Sequence, residues 1–573
     1  MASRSGLTLR ALGEQIARPS RAWRNRIWAH RARLGGRPDV AEAMPDPMLL
    51  GDAERGEKLL AGTWTALGRT IEVGKGSIWA VPLPDPRLEA ERQACLWIDD
   101  LAALGNRPAR TLAQAWAQDW IQRYGGGGGP GWDAELAGRR AKRWAVHAGL
   151  LTEGLDRGGA DRFWRALAAH QRYLTRAWPQ APEGLPQLRA LAGLVWSGVV
   201  LPHAGHAAAL AEIAALADGL IDAEGGTPSR SPEDLAEIVI LLIWTARLLE
   251  DSGQHAMAPH LQAIVRAVPV LRPLRLGDGG VARFHGGGAG DGGRVDQAPA
   301  ELRLVAQPKP QLAMGFARLA GGRVAVVMDG AAPPAEAAAL GAHAATLAFE
   351  MSVARQRVVV NCGPGQVFGP EWGVASRQTA AQSGVEVAGA SSARIEAEGL
   401  AARTFGARLF DGPALVSVRQ AQDASGQWLL ATHDGYVASH GLLHERRLFV
   451  EARGQEVRGE DILTVPDARA RGQFERAAAS GRLGFALRLH IHPMIGVDLD
   501  AARGFVILTL PSEEAWLFRA TGGEVSVEES VFFEAEAAHP EPTQQVVVRA
   551  EVTGYLGQVT WSFARIAEAP AVP

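Results

Sequence analysis

Cysteine is almost absent from this sequence, which has only Cys95 and Cys362 among its 573 residues. The two lie far apart, and neither stands in a CxxC pair or in the spacing of a zinc ribbon. The sequence therefore gives no support to a cysteine-bound metal. A disulfide between the two is possible but not supported by the sequence. The cysteines therefore do not indicate whether the protein resides in an oxidising or a reducing compartment.

Long apolar runs and an excess of one charge are also missing. The strongest apolar candidate, Ile238–Trp244, is far shorter than the roughly 18 residues that a membrane-spanning helix needs. The N-terminus is basic but lacks the apolar segment and small-residue cleavage site of a secretion signal. Lys and Arg (59) nearly balance Asp and Glu (62), for a net charge of −3, which removes any global charge argument for nucleic acid. The sequence by itself therefore indicates a cytoplasmic chain that binds no nucleic acid.

The length of the chain exceeds what one hydrophobic core usually supports, so we expect two or three domains. Residues 1–44 form a basic arm, in which arginines are interleaved with Trp23, Ile27 and Trp28. Such spacing fits an amphipathic helix that makes a peripheral contact with an anionic membrane surface. It also fits a helix that docks on its own protein through the two tryptophans, which is the interpretation that we favour. The arginines interleaved with these apolar residues are Arg18, Arg21, Arg24, Arg26, Arg31, Arg33 and Arg37.

Residues 45–276 have a helical pattern, with apolar residues recurring three and four positions apart. Ser231 followed by Pro232 predicts a helix start, because serine caps a helix and proline suits its first turn. Thirteen of the seventeen tryptophans precede residue 250. Tryptophan rings stack on sugars, but they also fill wide gaps between helices. The pattern predicts a ring or bundle of helical hairpins.

The pattern changes near residue 277. Residues 277–300 begin with a glycine-rich stretch, Gly277–Gly293, which we interpret as a linker or an exposed loop. Residues 301–573 consist of short alternating or apolar runs bounded by turns, without helical stretches between them. This spacing predicts an antiparallel β-sandwich.

Several segments of the sequence resemble the heparinase II/III-like family. They are Ala431–Tyr436, Leu347–Glu350, Arg357–Gly363 and Phe485–Pro493. The first is followed, as in the family, by His440, His444, Arg446 and Arg447. The resemblance extends over residues 45–565. It implies an α+β multidomain protein with an N-terminal (α/α) toroid followed by a C-terminal antiparallel β-sandwich.

The resemblance also implies a chemistry, the cleavage of acidic, uronate-containing polysaccharides by β-elimination. Such lyases neutralise the substrate carboxylate, remove the neighbouring proton with a base and protonate the leaving oxygen with an acid. The family acts in the periplasm or outside the cell, which disagrees with the missing secretion signal. By the resemblance, the predicted catalytic residues are Tyr436, His343 and His433. The predicted substrate-binding residues are Arg230, His440, His444 and Arg446.

Each of these predictions has a structural alternative. Tyr436 follows a turn and can be a packing tyrosine, and the histidines near it can form a polar network at the edge of a sheet. Arg230 stands at a helix start, where it can bind an anion or pair with Glu233 or Asp234. His490 and His492 are two apart, so both point to one face of a strand, where such a pair can chelate a metal.

The sequence departs from the family where the relatives bind a metal. Of the histidine-rich run only His343 remains, flanked by Gly341 and Ala345, and the later positions read Asn361 and Gln382. Zinc normally takes at least three protein ligands of the His, Cys or carboxylate type. We therefore predict no metal and no cofactor. The departures leave a second hypothesis open, namely a catalytically degenerate protein that binds carbohydrate or associates with the cell envelope.

Overall fold

The computed structural model describes residues 12, 21–41, 51–301, 312–479 and 481–567. The chain divides into two compact units. A helical unit contains Leu12–Asp222 and Glu237–Arg266, and a sheet unit contains Ala223–Ala236 and Ala267–Pro573. No described helix is both long and apolar enough to span a bilayer.

The helices begin where the sequence supplies a cap. Asn106, Asp133 and Asp156 each accept a hydrogen bond from a backbone N–H of the first turn that follows. Ser231 does the same for Asp234, with Pro232 in the first turn, so the predicted helix start is confirmed. The helices are α1 (residues 21–32), α2 (Ala53–Leu60), α3 (Pro86–Gln93), α4 (Trp97–Ala103), α5 (Arg107–Tyr124), α6 (Ala134–Val146), α7 (Ala148–Thr152), α8 (Arg157–Ala177), α9 (Leu185–Val200), α10 (His206–Leu220), α11 (Pro232–Asp251), α12 (Ala258–Leu271), α13 (Gly292–Glu301), α14 (Pro370–Ala375), α15 (Gly399–Phe405), α16 (Val437–His440) and α17 (Ala468–Ala477).

Most of the tryptophans of the helical unit are core residues. Trp97, Trp120, Trp144 and Trp196 are fully buried, and Trp120 packs edge-to-face on Trp144 with ring centroids 5.3 Å apart. The guanidinium carbon of Arg140 lies 4.0 Å from the centroid of the Trp120 ring. These contacts support the interpretation that the rings fill the wide gaps between helices.

Helix α1 of the basic arm docks on the helical unit. Its buried residues are the small Ala29 and Ala32, and the carbonyl of Ala32 accepts a hydrogen bond of 2.6 Å from Nε of Arg172. Trp23 is 67% exposed, so docking through two tryptophans is wrong: alanines allow the closer helix contact. Apart from Leu12, residues 1–20 of the arm, including Arg18, lie outside the described residues.

Two antiparallel sheets form the sheet unit, and their inner faces share one apolar core. The strands are β1 (Thr63–Ala66), β2 (Arg69–Glu72), β3 (Phe316–Gly321), β4 (Val324–Asp329), β5 (Phe349–Val353), β6 (Gln356–Val360), β7 (Val385–Val387), β8 (Arg394–Glu396), β9 (Arg408–Phe410), β10 (Val416–Gln422), β11 (Gly426–Tyr436), β12 (Leu442–Glu451), β13 (Glu456–Thr464), β14 (Leu483–Ile491), β15 (Gly496–Asp500), β16 (Phe505–Thr509), β17 (Ala515–Thr521), β18 (Glu524–Phe532), β19 (Glu541–Val552) and β20 (Leu556–Ala567).

One sheet has the order β10-β11-β12-β13-β20-β17-β16-β15, and the other has the order β18-β19-β14-β6-β5-β4-β3, with β7 also paired to β14. Phe349 and Trp561 stack across the shared core with ring centroids 5.5 Å apart. The predicted fold class, helices followed by antiparallel sheets, is confirmed.

The glycine-rich stretch after residue 277 is part of the folded sheet unit. Val281, Ala282 and Phe284 are fully buried, and Val281 forms a β-bridge with Arg275. The expected linker is therefore wrong here. Glycines such as Gly279, with φ of +93°, let the chain turn back on itself tightly enough to bury the apolar residues between them.

Candidate functional site

The register of strands β11, β12 and β13 brings several predicted site residues together. His433 lies opposite His444, and Arg446 lies opposite Asp461. His444 and Arg446 are two apart on β12, so both point to the same face, and that face is buried. The antiparallel pairing thus gathers side chains from three strands in one layer beneath the surface of the sheet.

A chain of hydrogen bonds fixes the protonation of the two histidines. The backbone N–H of Gly435 donates to Nδ1 of His433 over 3.0 Å, so the proton of His433 sits on Nε2. That nitrogen lies 3.0 Å from Nδ1 of His444 and donates to it. His444 then donates from Nε2 to Oδ1 of Asp461 over 2.8 Å. Both imidazoles are therefore neutral, and burial lowers the pKa of each.

Asp461 closes this network with a buried ion pair. Nε of Arg446 donates to Oδ1 over 2.7 Å and Nη2 donates to Oδ2 over 3.1 Å, and both side chains are fully buried. Trp561 Nε1 also donates to Oδ2, over 2.9 Å. Burial alone would raise the pKa of Asp461, but the Arg446 charge and the hydrogen bond from His444 outweigh it and lower the pKa. Nε and Nη2 of Arg446 are thus both used by Asp461, and Nη1 of Arg446 donates to the carbonyl of Leu347.

Tyr436 lies beside this network but bonds elsewhere. Its ring centroid is 5.6 Å from that of His433, and its hydroxyl donates to the carbonyl of Val385 over 2.6 Å. The side chain is fully buried, and burial raises its pKa. His440, at the end of α16, is half-buried, its ring centroid lies 6.3 Å from that of Tyr436, and its Nδ1 hydrogen-bonds with the hydroxyl of Ser439.

His343 belongs to a second buried cluster. Its Nε2 accepts a hydrogen bond of 2.9 Å from the backbone N–H of Gly286, and its own backbone N–H donates to Nδ1 of His285 over 3.2 Å. His285 therefore carries its proton on Nε2, which lies 3.1 Å from Oδ2 of Asp329. Burial, followed by the neighbouring His285 and Arg377, lowers the pKa of His343 well below its ordinary value.

Arg230 completes the second cluster. It pairs with Asp329, and it donates to the carbonyls of Met314 and Ala332 over 3.1 and 2.7 Å. Its partner is thus a residue 99 positions away, rather than Glu233 or Asp234, because the loop after Thr227 brings the guanidinium to the end of β4. Burial would raise the pKa of Asp329, but the charge of Arg230 and the neighbouring His285 outweigh it and lower the pKa.

Two of the positions at which the resemblance implies metal ligands, Asn361 and Gln382, form internal hydrogen bonds. Asn361 donates from Nδ2 to the carbonyl of Arg283 over 3.2 Å and accepts at Oδ1 from the backbone N–H of Ser383 over 2.9 Å. Gln382 donates to the carbonyl of Ser376 over 2.7 Å. Across the described ranges, no group of three His, Cys, Asp or Glu side chains stands close enough to hold a metal ion.

His490 and His492 do not act as a pair. His490 is buried and uses both nitrogens, with Nδ1 2.7 Å from Oγ of Ser530 and Nε2 3.0 Å from the carbonyl oxygen of Ala380. His492 lies just beyond the end of β14, where its Nδ1 accepts from the backbone N–H of Met494 over 3.3 Å. The shared strand face therefore leads to two separate hydrogen-bonding environments.

The structure thus divides the predicted site into two clusters. One contains His433, His444 and Arg446 beside Tyr436, and the other contains His343 and Arg230 with their own partners. Sequence reasoning missed His285, Asp329 and Asp461 as members of these clusters. Cross-strand register was the available signal for Asp461, because it lies directly opposite Arg446 on the next strand. The catalytic and substrate-binding roles stay predictions. The seven predicted residues are Tyr436, His343, His433, Arg230, His440, His444 and Arg446.

Comparisons with known proteins give a family and a full-length relative. The sequence model described as "Heparinase II/III-like, C-terminal" matches residues 305–562. The FtsZ-localized protein C of Caulobacter vibrioides (strain NA1000 / CB15N) is 30% identical, over 94% of this chain and 92% of that relative. A crystal structure of heparinase III is similar with a TM-score of 0.67 and 9% identity, covering 94% of this chain and 88% of that one. The heparan sulfate lyase HepC from Pedobacter heparinus gives a TM-score of 0.54 at 13% identity, over 95% and 88% of the two chains. At such identities the two solved structures establish a shared fold alone.

Proposed function

The chain belongs to the heparinase II/III-like family, and from that premise we propose that it is a member without lyase activity that works as an assembly protein of cell division. The fold is that of a polysaccharide lyase-like family. The proposal concerns what this chain does with that fold: it associates with other proteins at the site where FtsZ gathers.

One observation carries the proposal: the three residues predicted to be catalytic are all buried. Tyr436 is fully buried, and His343 and His433 are each 1% exposed. A general acid or base must come within hydrogen-bonding reach of the proton that it transfers, directly or through one water molecule. Side chains with no exposed surface cannot reach a polysaccharide unless the sheet unit opens.

The bonding of these residues points the same way. The hydroxyl of Tyr436 donates to Val385, so the group that would take or give a proton is used inside the fold. Nδ1 of His433 is held by the N–H of Gly435, and Nε2 of His343 is held by the N–H of Gly286. A base needs a free lone pair, and each neutral imidazole has only one. In both histidines a backbone N–H already occupies it.

The lost ligand positions add to this argument. A metal that supports a lyase site would need ligands at positions that here hold Gly341, Ala345, Asn361 and Gln382. Asn361 and Gln382 instead bond to their own backbone surroundings. The full-length relative whose name records localisation with FtsZ supports an assembly role, because this chain covers 92% of it.

The enzymatic half of the proposal is tested by the ultraviolet absorbance of unsaturated uronates. The purified full chain is incubated with heparan sulfate, hyaluronan, alginate and the exopolysaccharide of its host. We expect no increase in absorbance with any of them. An increase that Tyr436→Phe or His343→Ala abolishes would overturn the proposal and establish an active lyase acting on acidic polysaccharide.

The assembly half is tested in cells with a fluorescent fusion of the full chain and a second label on FtsZ. We expect the fusion to gather with the FtsZ ring and to disperse when FtsZ is depleted. A fusion that stays uniformly distributed while FtsZ forms rings would refute the assembly role. If the same chain retained acidic polysaccharides on an affinity column, the carbohydrate-binding alternative would take its place.

A further inference from the structure

Strand β10 lies at the edge of its sheet, and β11 is its neighbour on one side. At the turn between them, the backbone N–H of Asp423 donates to the carbonyl of Gly426 over 3.0 Å. At the other end of the pair, the N–H of Asp434 donates to the carbonyl of Leu415 over 3.2 Å. In an antiparallel pair, positions that bond to the neighbour alternate with positions whose N–H and C=O point away from it. The outward-pointing groups of β10 belong to Val416, Val418, Gln420 and Gln422.

These outward-pointing backbone groups have no partner within the described part of the chain. None of them hydrogen-bonds to another described residue, and no described strand pairs with β10 on that side. A row of free N–H and C=O groups is a template on which another strand can pair. β10 is seven residues long and pairs with β11 without a register shift, so it offers a regular backbone for such pairing.

The other edge strands of the two large sheets are protected in ways that β10 is not. β15 has two aspartates among five residues, and β18 has three glutamates among nine. β3 is partly covered, since Oε1 of Gln427 accepts the backbone N–H of Ala320 over 2.7 Å. β10 contains no proline and a single charged residue, Arg419. Because proteins usually block an open edge with charges, proline or a bulge, the exception at β10 favours a partner strand.

The side chains on the outer face of β10 indicate the chemistry of such a partner. Arg419 is exposed and forms no ion pair with another described residue. Ala421 lies opposite Trp428, whose side chain is 44% exposed and whose ring centroid is 4.2 Å from that of Phe449. Just before the strand, Leu415 is 73% exposed. An added strand would therefore meet an apolar surface at each end of β10 and a positive charge between them.

The charge of Arg419 disfavours a second copy of β10 as the added strand. Arg419 is the middle residue of β10, so two copies paired in full register about a twofold axis would place the two arginines opposite each other. Like charges directly opposite each other destabilise a strand pair, whereas opposite charges stabilise it. The complementary partner has an acidic residue opposite Arg419.

We propose that β10 binds an extended acidic segment of a partner protein, which adds to the sheet as a further strand. An acidic side chain of that segment lies opposite Arg419. Two residues away, an apolar side chain reaches across the small Ala421 to the ring of Trp428. Tryptophan and arginine often contribute most of the binding energy of protein interfaces. Such binding rests on the assembly role proposed above and gives the surface that holds the partner.

The experiment is a fluorescence anisotropy titration of two labelled seven-residue peptides with the full chain. The acidic peptide has glutamate at its centre, tryptophan two positions to either side and threonine elsewhere, so its pattern fits β10 in either strand direction. The basic peptide differs only in having lysine at its centre. We expect the acidic peptide to bind at least about fivefold more tightly than the basic one. Absence of binding by the acidic peptide, or equal binding of both, overturns the proposal.

A charge reversal locates the bound peptide. In Arg419→Glu we expect the preference to invert, because the basic peptide now carries the complementary charge. Arg519→Glu is the matched control, since Arg519 is also an exposed arginine of this sheet but lies on β17, away from the β10 edge. It should keep the preference of the parent chain. An unchanged preference in Arg419→Glu, or the same inversion in Arg519→Glu, would place the peptide elsewhere and contradict the proposal.

Val418→Pro tests the backbone pairing. Proline removes an N–H group that β11 does not use, so the sheet should keep its own hydrogen bonds while pairing beyond β10 is blocked. We expect neither peptide to bind this variant, whose thermal midpoint establishes that it folds; Gln420→Pro replaces it if it does not. Undiminished binding of the acidic peptide by a folded proline variant would refute the pairing. A dimer of the parent chain that the same change dissociates, measured by light scattering, would assign the edge to a second copy and overturn the proposal.

The peptide titration is separate from the test of the assembly role, because it uses the purified chain and synthetic peptides without FtsZ. Failure of the acidic peptide to bind would remove the β10 site, and the assembly role would still be decided by the fluorescent fusion. Selective binding by a chain whose fusion stays dispersed would keep the site and show that its partner is not part of the FtsZ ring.

Discussion

Replacing Asp461 by asparagine should sharply destabilise the sheet unit. The carboxylate accepts four donors: Nε2 of His444, Nε and Nη2 of Arg446, and Nε1 of Trp561. The amide of asparagine must turn its NH₂ group toward one pair of these donors, so two of the four bonds are lost. Arg446, which is fully buried, keeps its charge without a counter-ion.

The size of the destabilisation follows from the uncompensated charge of the buried Arg446. Removing one partner of a buried ion pair typically costs about 3–5 kcal/mol, because the other charge stays uncompensated. We therefore expect the free energy of unfolding of the sheet unit to fall by about that amount. A domain whose free energy of unfolding is in the ordinary range, roughly 5–15 kcal/mol, would remain mostly folded but would lose a large part of that free energy.

The matched control is Glu460→Gln, on the neighbouring residue of the same strand. Glu460 pairs with Arg447 over 2.9 Å, and the Arg447 side chain is 51% exposed. An exposed pair contributes about 0–1 kcal/mol, so this variant should be nearly neutral. Both changes remove one negative charge from β13, and they differ mainly in burial.

The assay must follow the sheet unit by itself, because two compact units can unfold in separate transitions. Hydrogen exchange measured by mass spectrometry in increasing urea reports the unfolding of peptides from β12 and β13. An Asp461→Asn variant within about 1 kcal/mol of the parent, or equal to Glu460→Gln, would refute the reasoning. It would mean that water or a rearranged side chain compensates Arg446.

Three further changes test other contacts of the sheet unit. Tyr436→Phe removes a buried hydrogen bond and should lower the free energy of unfolding by about 1–2 kcal/mol in urea titrations; no change would mean that the hydroxyl is dispensable to the fold. Because burial lowers the pKa of His433 in the fold, the unfolded chain binds more protons below about pH 6.5, so stability should fall as the pH drops from 7 toward 5. His433→Gln should reduce that slope by about one proton, roughly 1.4 kcal/mol per pH unit, and an unchanged slope would contradict the neutral assignment. Gly459→Ala would place a Cβ 2.0 Å from the Trp561 ring and should cost about 1–3 kcal/mol, whereas Gly484→Ala, with its nearest atom at 3.8 Å, should not destabilise; equal thermal midpoints would refute this contrast.

The fold could be predicted well from the sequence because its signals are local. The helix start at Ser231 and Pro232 depends on capping chemistry within one turn. The alternation around Arg488–His492 depends on the two-residue period of a strand. The change of pattern near residue 277 separates the two kinds of element, and the motif around His433 gave the family. Each of these signals lies within a few residues of sequence.

The site could not be predicted as well, because exposure is not a local property. The motif Ala431–Tyr436 indicates a histidine and a tyrosine close together, but not that the other sheet covers them. That the core covers Tyr436 follows from how the inner faces of the two sheets meet. The glycine-rich stretch was misjudged for the same reason, since tertiary packing buries Phe284 despite its flexible neighbours.

The sequence alone determined that helices precede antiparallel strands and that the chain resembles the heparinase II/III-like family. It also places Gly341, Ala345, Asn361 and Gln382 at the positions where this resemblance implies metal ligands. Only the tertiary structure decided that Arg230 meets Asp329 and that His444 meets Asp461. The physical reason is distance along the chain. Caps, turns and periodicity act between near neighbours, whereas a buried charge finds its partner through strand register and chain reversal, which depend on the whole fold.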